Sequence, residues 1–83
     1  MMPIDDLRAM LEKAFPDGGV HLTSPDDHHF QCLVVSERFD GHSMVERHQM
    51  VYAAVGDAMR EAVHALSLKT YTPAQWAKLS ANA

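Results

Sequence analysis

Only one cysteine, Cys32, occurs among the 83 residues, so no disulfide can form within the chain. A small unstapled chain fits a reducing compartment better than a secreted one. Cations are also scarce: seven Lys and Arg stand against eleven Asp and Glu, a net charge of −4 with His neutral. That balance argues against nonspecific nucleic-acid binding, which needs clustered cations to displace counterions; it leaves room for a small local basic patch. No apolar run approaches the ~20 residues a membrane helix needs. The start, MMPIDDLRAM, carries acids where a signal peptide carries basic residues, and it lacks a long apolar core. A soluble, cytoplasmic protein is expected. The CxxC, HExxH, P-loop and GxSxG patterns are all missing, so no enzyme is expected. No repeat, linker or low-complexity tract divides the chain, and its length predicts a single domain over residues 1–83. A core of this size supplies only a few kcal/mol of net stability. It leaves no room for a deep enclosed active site, so function is expected on the surface or at an interface.

What is present reads as six elements. Pro3 to Phe15 predicts a helix, with Pro3 in the first turn, Asp5 and Asp6 at the positive end of the dipole, and an apolar stripe of Ile4, Leu7, Leu11, Ala14 and Phe15. Pro16-Asp17-Gly18-Gly19 ends it. Val20 to Thr23 and Phe30 to Ser36 predict two strands joined by a short loop, hence an antiparallel hairpin. The second is apolar at Cys32-Leu33-Val34-Val35 on both faces and is expected to be central or covered. After the turn Phe39-Asp40-Gly41-His42, Ser43 and Glu46 form an S-x-x-E capping box. The helix they start is expected to reach about Glu61, with Met44, His48, Val51, Tyr52, Val55 and Met59 inward and Glu46, Gln49, Ala53, Asp57 and Arg60 outward. Gly56 marks close packing or a slight break in it. Ala65 to Thr70 predicts a third strand, with Leu66 and Leu68 on one face. Thr72, Pro73 and Gln75 then start a last helix, to about Leu79, which lays Trp76 and Leu79 on the body. Residues 80–83 are expected to fray. The order α-β-β-α-β-α predicts an α+β domain with helices packed on a small three-stranded mixed sheet.

Six histidines are a high share for this length, and His is the commonest metal ligand that is neutral near pH 7. His21 on a strand face reads as a solvated side chain, and His42 as a turn residue. His48, on the inward stripe, reads as a packed histidine bonded to backbone or a neighbour. His64 leads a strand directly after a helix end. On spacing alone a cap on the helix's last carbonyls is a stronger reading than a ligand. His28 and His29 lie in the hairpin loop beside Asp26 and Asp27, a solvated acidic pair. Adjacent residues in extended chain point to opposite faces, so one of the two at most aims at a given site. Cys32, inside a strand, reads as a buried apolar residue, and Ser43 as a cap.

The pieces FDGHS, RHQMVY, VHALSLKTYTP and QW occur in this order and spacing. Together they resemble the BolA family from about His21 to Leu79, and the short loop before His29-Phe30-Gln31 is most similar to the small bacterial IbaG-type members. The resemblance implies a fold like the second class of KH domains. It also reverses the order of readings for His64: in BolA-like proteins the histidine of the VHAL-type motif ligates a 2Fe–2S cluster shared with a monothiol glutaredoxin. The family's second ligand is a Cys or His of the hairpin loop, which here implies His29 or His28, with His29 matching best. The glutaredoxin side would supply a cysteine and a glutathione thiolate. Two histidines alone do not complete a metal site, so a half-site finished by a partner is the sensible form.

The resemblance therefore implies an adaptor in iron–sulfur trafficking or iron and redox sensing, a monomer or weak homodimer on its own. A second reading is a nucleic-acid-binding transcriptional regulator built on the KH-like fold, with DNA as its partner. Against it, Arg38 and Arg47 are outweighed between Glu37 and His48 by Glu37, Asp40 and Glu46, and no GxxG clamp is present. A third is a small scaffold that docks another protein through an exposed helix face including Met50.

Overall fold

The computed structural model describes residues 4–26, 29–56 and 66–81. Helix α1 (Ile4–Ala14) forms where the apolar stripe runs, and buries Leu7 and Leu11, with Phe15 buried just beyond it. Ile4 and Ala14 pack on the edge of the same core. Its last turn is closed from a distance. The Arg38 guanidinium donates to the Ala14 carbonyl at 2.6 Å and lies 4.9 Å over the Phe15 ring, so one cation satisfies a helix-end carbonyl and covers an aromatic face.

The turn that follows is held by Asp17. Its carboxylate accepts from the Ser36 hydroxyl and from the Glu37 amide, each at 2.8 Å. Gly18 beside it has no room for a side chain, since a Cβ there would stand 1.7 Å from the Val35 carbonyl oxygen. Strand β1 (Gly19–Thr23) then pairs antiparallel with β2 (Phe30–Val35), from Gly19 opposite Val35 to Thr23 opposite Gln31. Strand β3 (Leu66–Tyr71) joins the other side of β2 in parallel, from Phe30 opposite Leu66 to Val35 opposite Tyr71. The sheet order is β1-β2-β3, so β2 is central, as its apolar run predicts.

The two faces of β2 are nevertheless unlike. Phe30, Cys32 and Val34 are buried with Leu22 under α1 and α2, whereas Gln31 is exposed and Leu33 half-buried. The second face is therefore largely open, carrying His21, Thr23, Gln31, Ser67 and Lys69. Burial pushes the Cys32 thiol up to about 11.

Helix α2 (Met44–Val55) is started by the predicted box: the Glu46 amide donates to Ser43 Oγ at 3.2 Å and the Ser43 amide to Glu46 Oε1 at 2.8 Å. A short 3-10 turn, Glu37–Phe39, precedes it and seats Phe39 in the core. The inward face differs from the expected stripe. Val51 and Val55 are buried and His48 and Tyr52 half-buried, but Met44 is 56% exposed and Arg47 is buried instead. Burial of Arg47 is offset by two hydrogen bonds: Nε donates to the His42 carbonyl at 3.0 Å and Nη1 to Gln75 Oε1 at 2.9 Å. Met50 packs against the core rather than forming an exposed face. The helix ends at Gly56, which takes a positive φ of 56° that only glycine adopts at low cost. The expected continuation to Glu61, with Asp57, Met59 and Arg60, lies outside the described residues.

Helix α3 (Pro73–Ala81) opens on the second predicted box, with the Thr72 amide donating to Gln75 Oε1 at 2.9 Å and the Gln75 amide to Thr72 Oγ1 at 3.2 Å. It runs past Leu79 through Ser80 and Ala81, which were expected to fray. Trp76 is laid on the body, 5.8 Å from the Tyr71 ring and 6.1 Å from His21. Leu79 is not, being 47% exposed. The observed order is the predicted α-β-β-α-β-α over a mixed sheet.

Candidate functional site

Parallel pairing of β2 with β3 has a direct consequence for the site. Both strands begin at one edge of the sheet, and antiparallel β1 ends there. Phe30 and Leu66 are paired at the start of the two strands, and neighbouring strands lie about 4.8 Å apart. The hairpin loop thus stands beside the point where the chain enters β3.

His29 is the loop ligand candidate that the structure describes. It is anchored on three sides. Its amide donates to Asp26 Oδ1 at 2.8 Å, its ring Nδ1 lies 2.7 Å from Asp26 Oδ2, and its carbonyl accepts from Ser24 Oγ at 2.6 Å. The next residue, Phe30, is buried and already in the sheet. The imidazole itself stays 72% exposed. The result is an accessible ring on a loop tied to the core. His28 and His64 lie outside the described residues.

The remaining histidines do not join this edge. His21 sits on the open face of the sheet against Trp76, beside a shallow hollow of about 320 Å³ that Thr23, Gln31 and Lys69 also line. His42 is exposed at the start of α2, its Nδ1 3.8 Å from Glu46 Oε1. His48 is half-buried as expected, and its buried Nε2 has no hydrogen-bond partner among the described residues. Its place on the inward stripe shows in the sequence. Cys32, protonated and under the helices, is no thiolate donor. Among the described residues no group of three or more His, Cys, Asp or Glu side chains is placed to hold a metal ion. One exposed imidazole on a fixed loop suits a partial coordination site.

Asp26 reads in the sequence as half of a solvated acidic pair able to act electrostatically on the neighbouring His28 or His29. Its role as a clamp, with Ser24, had a local signal: Ser-Pro-Asp before a strand is a pattern in which short oxygen side chains bond backbone groups a few residues on. No described helix is long and apolar enough to cross a membrane.

Fold and edge together define a small α+β domain of α-β-β-α-β-α order that presents a histidine-bearing loop at the open end of a parallel strand pair. The chain belongs to the BolA family: the family described as BolA-like protein matches residues 9–75. The acid stress protein IbaG of Escherichia coli (strain K12) is 38% identical over 78 residues, covering 93% of this chain and 92% of that protein. BolA-like protein 1 of Bos taurus is 40% identical over 67 residues, and the match spans 81% of this chain but only 50% of that protein. Among solved structures, a BolA homologue from Coxiella burnetii superposes with a TM-score of 0.75 at 36% identity, covering 92% of this chain and 97% of that one.

Proposed function

We propose that this chain is a non-catalytic adaptor that pairs with a monothiol glutaredoxin and supplies histidine ligands, His64 and one of His28 and His29, to a 2Fe–2S cluster shared between them, in iron–sulfur trafficking or iron and redox sensing. Membership of the BolA family supports the reading, through the VHAL motif that carries His64. The observation that carries it is the parallel register that starts β2 and β3 side by side. His29 immediately precedes one of these strands. His64 stands two residues before Leu66 in the sequence, where the other strand starts. The pairing of Phe30 with Leu66 supports a common site for two histidines 35 residues apart in sequence.

The donor chemistry fits. Two imidazoles offer half a coordination sphere, and a glutaredoxin cysteine with a glutathione thiolate completes it. A cluster held partly by neutral imidazole has a higher reduction potential, and is more sensitive to protonation of its ligands, than one held by four thiolates.

The test is to mix the purified protein with a glutaredoxin carrying its cluster and glutathione. The expected result is a changed visible absorption and circular dichroism spectrum, lost in His64→Ala and retained in His42→Ala. An unchanged spectrum with the wild-type chain overturns the proposal.

A further inference from the structure

We infer that Asp26 is a positioning residue, making His29 the loop ligand and turning its Nε2 outward as the donor atom. The inference rests on the reading that the loop edge holds the shared cluster, but the atoms that carry it belong to this chain alone.

An ionised carboxylate can only accept hydrogen bonds, so the ring nitrogen facing it bears the hydrogen. A neutral imidazole has one N–H. With Nδ1 engaged by Asp26 Oδ2 at 2.7 Å, the lone pair falls on Nε2. The other carboxylate oxygen holds the backbone amide of the same residue at 2.8 Å. One side chain thus fixes both the ring and the main chain from which it projects. Ser24 holds the carbonyl end of His29 at 2.6 Å, and Phe30 continues directly into β2. Metal-bound histidines commonly owe their tautomer and orientation to a carboxylate on the other nitrogen, and losing that partner typically costs 10- to 100-fold in metal affinity or activity. The other described histidines lack this arrangement. His48 has its Nε2 enclosed, and His42 has a carboxylate oxygen no nearer than 3.8 Å.

Asp26→Asn is the informative change. Its amide oxygen is needed by the His29 N–H, so the NH2 group is left facing Nδ1. A donor there demands the opposite tautomer, with the hydrogen on Nε2 and no lone pair to offer.

Two measurements test this on the full chain. The first is long-range 1H–15N NMR of the histidine rings in the protein alone at pH 8.5, about two units above the ordinary imidazole value. The wild-type His29 is expected to be protonated at Nδ1 and bare at Nε2, and Asp26→Asn is expected to reverse this. A wild-type ring protonated at Nε2 overturns the proposal. The second follows cluster loss to a chelator from the complex with a monothiol glutaredoxin and glutathione. Asp26→Asn is expected to lose the cluster roughly ten-fold faster or more, with an unchanged urea midpoint for the protein alone. If His29→Ala abolishes the complex's spectrum while Asp26→Asn releases the cluster at the wild-type rate, His29 remains a ligand and the role given to Asp26 is wrong. If His29→Ala leaves the spectrum intact, the ligand assignment itself falls.

Discussion

Asp17 joins the turn after α1 to the exit of β2. Its carboxyl is held below the ordinary value of 3.8, first by the Glu37 amide and then by the Ser36 hydroxyl. A carboxyl depressed in the folded state adds stability that is fully present above its unfolded value and disappears as the pH falls through its folded value. Asp17→Ala is therefore expected to lower the urea midpoint at pH 7, and the gap to wild type is expected to close as the pH is taken below 3.8 towards 2. Denaturation curves at several pH values check it. The burial of Cys32 and the exposure of His21 and His42 are legible from strand alternation and turn position. The exchange of roles between Met44 and Arg47 is not. A cation is assigned to solvent by its type, and the groups that receive Arg47 lie 5 and 28 residues away in sequence. The anchoring of His29 lies between: Asp26 stands three residues before it, but only the folded loop turns proximity into a bond.

Ser43 and Glu46 show how much an element can owe to four consecutive residues. Ser43→Ala removes the acceptor for the Glu46 amide and is expected to cost ~1 kcal/mol, read as a lower urea midpoint with an unchanged slope. Gly18→Ala is expected to cost more, about 1–3 kcal/mol, because the added carbon meets the backbone oxygen of Val35 rather than a side chain that can rotate away. The same measurement ranks the two. Capping boxes, the hairpin and the helix of alternating apolar turns are legible because their causes are local. The parallel register of β2 and β3 is not, since a segment of thirty residues separates Val35 from Leu66 and its pairing is decided by the whole core. The role of Gly56 in α2 is ambiguous in the sequence for a related reason. Gly56 in a helical pattern reads as close packing or a slight break, and its positive φ shows it as the cap after Val55.

The core that unites these parts is small. At 83 residues, a net stability of about 4–12 kcal/mol is expected. Phe39 is completely enclosed and 5.1 Å from Phe15, ring to ring. Phe39→Ala is expected to remove about 3–5 kcal/mol, much of the total, and calorimetry should show a strongly lowered melting temperature. The candidate site was legible as a list of histidines and a family motif. What the sequence withheld was the convergence of two strand starts at one edge, which is a property of sheet order. A last consequence follows from Gln75, whose Oε1 accepts at once from the Thr72 amide and from Arg47 Nη1, each at 2.9 Å. One oxygen thereby fastens the entry of α3 to a buried cation in the first turn of α2. Peeling α3 away removes that shared acceptor and uncovers the guanidinium, which ties the closing helix to the start of α2. Helix α3 is expected to open together with the first turn of α2, read as matched amide hydrogen-exchange rates in the two segments.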